Sequence, residues 1–202
     1  MKKRPLILSL FLVSASCAVS FFYLDIPVAL FCRELSSTVT DVFQVITRFG
    51  VSTWYIVISL TAFLFFHYAR KNRKYADRAL LVCFSVAASG ILINLMKVIL
   101  GRYRPVMLFE KDLYGFSFFG FKYAYTSFPS GHATTIAALM TAFWFIFPKC
   151  RAVFLTGALL VGASRLVLCS HFLSDTIFGA YLGAVTAVVV RDCMRKKGFE
   201  VE

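Results

Sequence analysis

Residues 79–100 read ALLVCFSVAASGILINLMKVIL, an almost unbroken apolar stretch whose only charged side chain is Lys97. A helix needs about 20 apolar residues to cross a hydrocarbon core of about 30 Å. This stretch has that length and composition, so it is predicted to be a membrane-spanning helix. It decides the fold class because similar stretches recur on both sides of it along the chain.

The other candidate spans account for much of the apolar excess of the chain. The protein has 202 residues, of which 59% are hydrophobic and 16% are charged, whereas about a quarter of a soluble domain is charged. Together with residues 79–100, the following segments make six predicted spans: 5–23, 51–69, 132–147, 152–170 and 176–190. We therefore predict an all-α, polytopic membrane protein with six transmembrane helices and a single domain over residues 1–202.

The basic residues predict how these spans are oriented. Most of the 22 Lys and Arg lie in the segments MKKR, RKNRKYADR, KCR and RDCMRKK. Six spans place all of these segments on one side of the membrane, which the positive-inside rule identifies as cytoplasmic. Both termini are then cytoplasmic, and the net charge of +12 reflects topology. A nucleic-acid partner is therefore not expected.

Two N-terminal segments leave alternatives open. Residues 5–23 follow a basic start and contain small residues, so they could be a cleaved signal peptide instead of the first span. Residues 26–50 have the mixed pattern of an amphipathic helix along the outer interface, ended by Gly50, or of an ordered loop. The six cysteines are scattered singly, so we interpret most of them as small apolar membrane residues.

Three basic residues are not explained by this topology. Lys97 lies one turn inside the third span, Arg165 lies within the fifth, and Arg104 follows the third. A charge at membrane depth is costly and usually faces a bundle interior or a wet cavity. Asp175 is the one obvious carboxylate partner, which leaves the group positive and indicates a bound anion. Snorkelling to the surface is the alternative for Lys97 and Arg104.

Two histidines at the same predicted membrane face could act on such an anion. His171 and Asp175 are four residues apart on one predicted helix face, so the carboxylate could orient one ring nitrogen and leave the other as a base or nucleophile. Ser130 is a candidate N-cap and Gly131 permits close backbone approach. His132 follows in the first helical turn, where free N–H groups favour anions. An interfacial histidine with a capping aspartate is the simpler alternative.

Taken in order, these stretches resemble the three-part signature of the type 2 phosphatidic acid phosphatase superfamily, PAP2. The signature is Lys97-x6-Arg104-Pro105, then Pro129-Ser130-Gly131-His132, then Ser164-Arg165-x5-His171-x3-Asp175. The resemblance covers residues 97–175 and, through the six-span layout, most of the chain. It implies a PAP2-type helical bundle and the activity of a bacterial membrane lipid phosphatase.

The same resemblance implies a role for each site residue. His171 would attack phosphorus and form a phosphohistidine, Asp175 would orient it, and His132 would protonate the leaving oxygen. The phosphate oxygens would be bound by the remaining residues of the signature: Lys97, Arg104, Ser130, Gly131 and Arg165. The resemblance implies no metal and no other cofactor.

The predicted location is the inner membrane of a bacterium, with the site at the periplasmic face near headgroup depth. This location favours a lipid phosphate as substrate, with undecaprenyl diphosphate or lipid A preferred and phosphatidylglycerol phosphate or phosphatidate as alternatives. A transporter of anionic lipids is the alternative of a different class. The loop over residues 102–129 is rich in aromatic residues, which indicates an interfacial belt or a lipid-binding lid. The sequence predicts no particular oligomeric state.

Overall fold

The computed structural model describes residues 3–201, and every regular element in this range is helical. In chain order the helices are α1 (Lys3–Val19), α2 (Asp25–Arg33), α3 (Ser37–Thr47), α4 (Ser52–Leu64), α5 (Arg73–Leu100), α6 (Pro105–Lys111), α7 (Gly131–Ile146), α8 (Arg151–Val167) and α9 (Leu173–Lys196). Short π or 3₁₀ turns connect or extend several of them. The all-α prediction is confirmed.

Within residues 3–201, the helical segments that are long and apolar enough to cross a membrane are Arg4–Arg33, Ser52–Ala69, Arg73–Leu100, Pro148–Val167 and Leu173–Lys196. The apolar helix α7 is shorter, with 16 residues, since Pro148 follows closely and cannot continue it. The predicted number of six spans depends on α7 and remains a prediction. The architecture is that of a multi-pass helical membrane protein.

The first long helical segment extends beyond its predicted end at residue 23. It continues through the π turn Ser20–Leu24 to Arg33. The charged side chain of Asp25 does not interrupt it, because this carboxylate is fully buried and accepts hydrogen bonds from Ser20 and Ser174. The rest of the region 26–50 forms the separate helix α3, which a 3₁₀ turn extends to Gly50.

Helix α7 lies at the centre of the bundle, in contact with α5, α8 and α9. Its buried side chains Ile136 and Leu139 pack with Leu81 and Val86 of α5 and with Val161 of α8. The outward faces of α1, α4 and α8 carry exposed apolar side chains, as expected of surfaces that face lipid. Because lipid tails are as apolar as leucine, tight packing is what holds such helices together.

Two glycines on α9 bring this helix against α7. Gly179 and Gly183 form a Gly-x-x-x-Gly pattern, which permits close contact between helix backbones. A Cβ at Gly183 would lie 2.2 Å from the carbonyl oxygen of Thr134, and one at Gly179 would lie 2.7 Å from that of Ser130. The starts of the two helices therefore meet, and the N–H of Ser130 donates to the carbonyl oxygen of Asp175 at 3.0 Å.

Candidate active site

The chain that follows α5 turns back into the bundle at Gly101. This residue has a φ of 55°, a left-handed conformation that suits glycine, and its N–H donates to the carbonyl oxygen of Lys97. A Cβ there would meet backbone atoms of Phe118 and Gly120 at 2.9 Å. The tight turn buries the next side chain, that of Arg102.

Arg102 lies at the centre of a buried ion-pair network. Its guanidinium contacts the carboxylates of Asp25, at 2.6 Å, and of Asp175. It also donates to Ser174 Oγ at 2.7 Å, and aromatic rings surround it at 4.9–5.6 Å. Burial lowers the pKa of Arg102, but the charges of Asp175 and Asp25 outweigh it and the net shift is upward. Arg102 is therefore charged and held rigidly.

This network corrects the pairing that the sequence suggests. Asp175 is predicted to partner the phosphate-site cations, whereas in the structure its ion pair with an arginine is made with Arg102. The turn at Gly101 buries Arg102, and its planar fork can reach two carboxylates at once. Sequence reasoning missed Arg102 and Asp25 as site residues. The available signal was Asp25 itself, a lone carboxylate between two apolar runs.

Asp25 anchors Arg102 from the side opposite Asp175. It is fully buried and accepts hydrogen bonds from Ser20 Oγ at 2.8 Å, from the Ser174 N–H at 2.9 Å and from the Tyr114 hydroxyl at 3.1 Å. A buried carboxylate is tolerated only when it is paired and hydrogen-bonded in this way. Asp25 thus joins the first helical segment to the start of α9.

His171 faces Asp175 with one ring nitrogen. Its Nδ1 lies 3.6 Å from Oδ2 of Asp175, and this oxygen also accepts from Ser127 Oγ at 2.5 Å and from the Phe172 N–H at 2.8 Å. The predicted shared helix face is wrong, because α9 begins at Leu173 and His171 precedes it. The fold around the start of the helix brings the ring to the carboxylate.

The ring of His171 is neutral near pH 7. Burial is the main cause that lowers its pKa from 6.5 to about 3. The carboxylate of Asp175, whose Oδ2 lies 3.6 Å from Nδ1, opposes this shift in pKa, while the positive charges of Arg104 and Lys97 add to it. A neutral imidazole has a free lone pair, which a nucleophile or base requires.

Lys97 and Arg104 converge on one backbone carbonyl. Lys97 Nζ donates to the oxygen of Thr126 at 2.6 Å, and Nη2 of Arg104 donates to the same oxygen at 3.2 Å. Arg104 also donates to the carbonyl oxygens of Tyr123 at 2.8 Å and Ser170 at 3.0 Å. Burial is the main cause that lowers the pKa of Arg104. Carbonyls do not neutralise these cations, so the pair retains its attraction for an anion.

Arg165 and Ser130 retain unused hydrogen-bonding atoms. Arg165 is buried in the last turn of α8 and donates to Thr47 Oγ1, but its Nε has no partner among the described residues. Ser130 occupies the predicted N-cap position of α7, yet its side chain does not cap the helix, and its buried Oγ also lacks a partner within residues 3–201. Because buried polar atoms are normally hydrogen-bonded, these atoms suit a ligand rich in oxygen.

His132 lies in the first turn of α7, within electrostatic range of Arg165, Lys97 and Arg104. Gly50 packs directly on its ring, since a Cβ at Gly50 would lie 2.5 Å from Cδ2 of His132. The 3₁₀ turn Arg48–Gly50 that follows α3, in the region predicted to lie along the outer interface, thus contributes a wall of the site. Sequence reasoning did not assign its residues to the site.

The predicted site residues therefore gather at one end of the bundle, although they come from separate helices. The C-terminal ends of α5 and α8 and the N-terminal ends of α7 and α9 meet there. These ends carry or adjoin all of the predicted residues: Lys97, Arg104, Ser130, Gly131, His132, Arg165, His171 and Asp175. Helix N-termini favour anions, so the shared location adds to the attraction of the cations.

The aromatic loop divides into two parts. Tyr114 and Phe116 stack on Phe21 and surround Arg102, so they wall off the ion-pair network. Phe121, in contrast, is 79% exposed. The belt or lid remains a prediction for residues such as Phe121, whereas Tyr114 and Phe116 pack against Phe21 and Arg102.

Comparison with known proteins identifies the family. The model of the PAP2 superfamily matches residues 78–199, which contain all of the signature motifs. The chain belongs to the PAP2 superfamily. It is 33% identical over 200 residues to a lipid A 1-phosphatase of Rhizobium etli and 32% identical over 198 residues to a lipid A 1-phosphatase of Rhizobium johnstonii. The alignments cover 91% of this chain and 84% and 80% of those proteins.

A solved structure shares the fold of this PAP2 protein. The TM-score is 0.67 with the transmembrane PAP2-type phosphatidylglycerolphosphate phosphatase from Bacillus subtilis, over 96% of this chain and 98% of that chain, at 22% identity. The predicted resemblance is thus confirmed. This PAP2 protein is a multi-pass membrane protein and a lipid phosphatase that acts on a membrane lipid.

Proposed function

We propose that this PAP2 protein removes phosphate from its lipid through a phosphohistidine formed on His171. The observation that carries the proposal is the setting of this ring. Its Nδ1 faces the buried Asp175, and the charges of Arg104 and Lys97 act on it. A neutral imidazole oriented by a carboxylate suits attack on a phosphate group, and the neighbouring Lys97 and Arg104 form no ion pair with a carboxylate among residues 3–201.

The phosphate oxygens are bound by the unused donors of the site. Arg165 Nε and Ser130 Oγ are buried and lack partners within residues 3–201, and phosphate oxygens are strong acceptors for both. Lys97 and Arg104 supply further positive charge, and the free N–H of Gly131 lies at the positive end of α7. These fixed cations and amides stabilise the charge of the transition state.

The first step transfers the phosphoryl group to the protein. Nε2 of His171 forms a bond to phosphorus while the bond from phosphorus to the leaving oxygen breaks. His132 gives a proton to that oxygen, so the lipid departs as an alcohol, or as a monophosphate if the substrate is a diphosphate. Asp175 stabilises the positive charge that the phosphorylated ring acquires.

The second step restores the protein. A water molecule attacks phosphorus while His132, now neutral, accepts its proton. The bond between phosphorus and Nε2 breaks, inorganic phosphate is released, and His171 returns to its neutral form. The proton balance closes because His132 regains the proton that it gave in the first step.

The substrate that we propose is lipid A bearing a 1-phosphate. The support is the identity of 33% to a lipid A 1-phosphatase over 91% of this chain. We prefer lipid A to undecaprenyl diphosphate for this reason. Phosphatidylglycerol phosphate and phosphatidate remain the alternative substrates.

The site is proposed to face the periplasm from the inner membrane, within a single domain over residues 1–202. The basic segments near Arg78 and Arg191 lie at the opposite ends of α5 and α9 from Lys97 and Asp175. If positive loops are cytoplasmic, the phosphate site is on the outer side. Asp25 supports one domain, because it ties the first helical segment to the signature region.

The phosphohistidine is tested by trapping. The purified protein is mixed with labelled lipid phosphate and quenched in base within the first turnover, since phosphohistidine survives alkali. We expect label on the wild-type protein, none on His171→Asn, and normal labelling of His67→Asn, a matched control whose ring lies in the π turn Phe65–Ala69. Full phosphate release by His171→Asn would refute the mechanism.

The substrate is tested with a panel of lipid A, undecaprenyl diphosphate, phosphatidylglycerol phosphate and phosphatidate in matched micelles. Released phosphate gives kcat/KM for each lipid, and phosphorus NMR shows which phosphate of lipid A is lost. We expect the highest kcat/KM for lipid A with loss at the 1-position. A higher value for another lipid, or loss at the other position, would overturn the substrate but leave the phosphohistidine result standing.

A further inference from the structure

A second cluster of cations lies at the far end of the bundle. Arg78, Arg151 and Arg191 line a cavity of about 470 Å³ together with Trp144 and Phe145. Arg78 precedes Lys97 on the same helix, and at 1.5 Å per residue the two lie about 28 Å apart along its axis. This distance is close to the hydrocarbon thickness of a bilayer, about 30 Å, so the cavity is distinct from the phosphate site and lies at the opposite membrane surface.

The cavity has more positive charge than the neighbouring protein groups neutralise. Arg191 donates to Asp192 at 2.8 Å. Arg78 and Arg151 have no carboxylate within 4.0 Å in the part of the chain that the structure describes. In addition, Nε of Arg78 is buried and has no hydrogen-bond partner among residues 3–201. A buried guanidinium nitrogen without an acceptor points to a ligand that supplies one.

Aromatic side chains hold two of these arginines at the rim. The guanidinium of Arg151 lies 5.2 Å from the ring centroid of Trp144, and that of Arg191 lies 4.0 Å from that of Phe145. Aromatic residues of this kind mark the headgroup level of a membrane protein. Stacking on a ring also leaves the edge of a guanidinium free to donate hydrogen bonds to a phosphate.

An apolar cavity adjoins this cationic one. It has a volume of about 300 Å³, shares Arg78 and Ile146 with the first cavity, and continues between α4, α5 and α7 past Val82, Ala62 and Phe143. A cationic end joined to an apolar end matches the shape of a lipid. A free phosphate would use the cationic part alone.

We propose that Arg78, Arg151 and Arg191 bind the headgroup phosphate of an anionic glycerophospholipid, with an acyl chain lying in the adjoining apolar cavity. In phosphatidylglycerol, an anionic lipid of this class, the phosphate is a diester, so the bound molecule is a ligand and differs from the phosphorylated substrate at the other end. Basic pockets between membrane helices on the cytoplasmic side are a known means of binding acidic headgroups.

Trp144 provides a direct test. The chain has two tryptophans, and Trp54→Phe removes the one on α4, which is 66% exposed and lies outside the cavity. The single-tryptophan protein is reconstituted in phosphatidylcholine vesicles with a rising fraction of phosphatidylglycerol brominated near the start of its acyl chains. Brominated phosphatidylcholine is the matched lipid control. We expect half-maximal quenching of Trp144 at an about 30-fold lower fraction of the anionic lipid, as two arginines would provide.

Variants then connect the quenching to the arginines. The double variant Arg78→Gln with Arg151→Gln is expected to abolish the preference for the anionic lipid. Arg151→Gln alone is expected to reduce this preference, and it provides the test if the double variant does not fold. Lys149→Gln removes a neighbouring exposed charge that does not line the cavity and should change nothing. Equal quenching by the two lipids, or a preference that Arg151→Gln leaves undiminished, would overturn the proposal. So would full displacement of the lipid by millimolar inorganic phosphate, which would identify a site for a free anion.

Discussion

Arg102 and Asp175 form a buried ion pair in which both side chains are almost completely shielded from solvent. The same guanidinium pairs with Asp25, so the carboxylate that faces His171 is connected to a second carboxylate on the first helical segment. Removing one partner of a buried ion pair costs about 3–5 kcal/mol, because the other charge is left uncompensated. The orientation of Asp175 therefore depends on residues that never reach the phosphate.

Asp25→Asn tests this dependence. The change removes one charge from the network while keeping its shape, so Arg102 and Asp175 should shift relative to His171. We expect kcat to fall by up to about 100-fold with little change in KM, since a misplacement of about 1 Å can cost that much. Steady-state kinetics on the same lipid measures both constants. Asp41→Asn, an exposed carboxylate on α3, is the control, and a raised KM with unchanged kcat for Asp25→Asn would contradict the positioning role.

His132→Gln tests the proposed proton donor. Without a donor, the first step should slow by about 10²- to 10⁴-fold for a lipid phosphate, whose leaving alkoxide needs a proton. With p-nitrophenyl phosphate, whose leaving group departs as an anion, the first step should slow much less. Because His132 also acts as the base in the second step, the measurement is the rate of phosphohistidine formation in the first turnover, and equal losses of this rate on both substrates would contradict the donor role.

Gly50→Ala tests the contact between the ring of His132 and the 3₁₀ turn that follows α3. The added Cβ would lie 2.5 Å from Cδ2 and 2.7 Å from Cβ of His132, so the ring must move. We expect kcat to fall while the protein still folds, as judged by gel filtration and thermal melting. Gly90→Ala is the matched control, because no neighbouring atom lies within 4 Å of its added Cβ and alanine favours a helix. Wild-type kcat in Gly50→Ala would show that the ring tolerates displacement.

Gly183→Ala tests the contact between α7 and α9. Its Cβ would lie 2.2 Å from the carbonyl oxygen of Thr134, and because this is backbone it can move only with the helix. Overpacking of this kind costs about 1–3 kcal/mol, so we expect a lower Tm in detergent and a lower kcat from the displaced start of α9. Gly90→Ala again serves as control. An unchanged Tm would mean that the helices separate without cost.

The pKa of His171 predicts how stability depends on pH. In the unfolded chain this histidine takes up a proton as the pH falls through about 6.5, whereas in the folded protein its pKa is about 3. Between these values the unfolded state binds more protons, so folding stability declines as the pH is lowered, by up to about 1.4 kcal/mol per pH unit. Thermal melts between pH 7 and pH 5 measure the decline. His171→Asn should lose less Tm than wild type over this range, and an equal loss would assign the decline to other groups.

The apolar stretches were sufficient to predict the helical fold class, because a bilayer imposes the length of a span. The spacing within the motifs selected residues from Lys97 to Asp175 that the fold brings to one end of the bundle, and their roles remain predictions. These features are local in the chain, so a pattern of residues carries them. The continuation of the first helical segment to Arg33 was not predicted, because a charged residue such as Asp25 indicates the end of a membrane span unless its partners are known.

The partners of each charge required the folded chain. Asp25 and Arg102 are separated by 77 positions, and Asp25 and Ser174 by 149, so no local pattern indicates that they touch. The turn at Gly101 and the close packing at Gly179 and Gly183 bring these groups together. Burial then removes water as a competitor, which strengthens the ion pairs of Arg102 with Asp25 and Asp175.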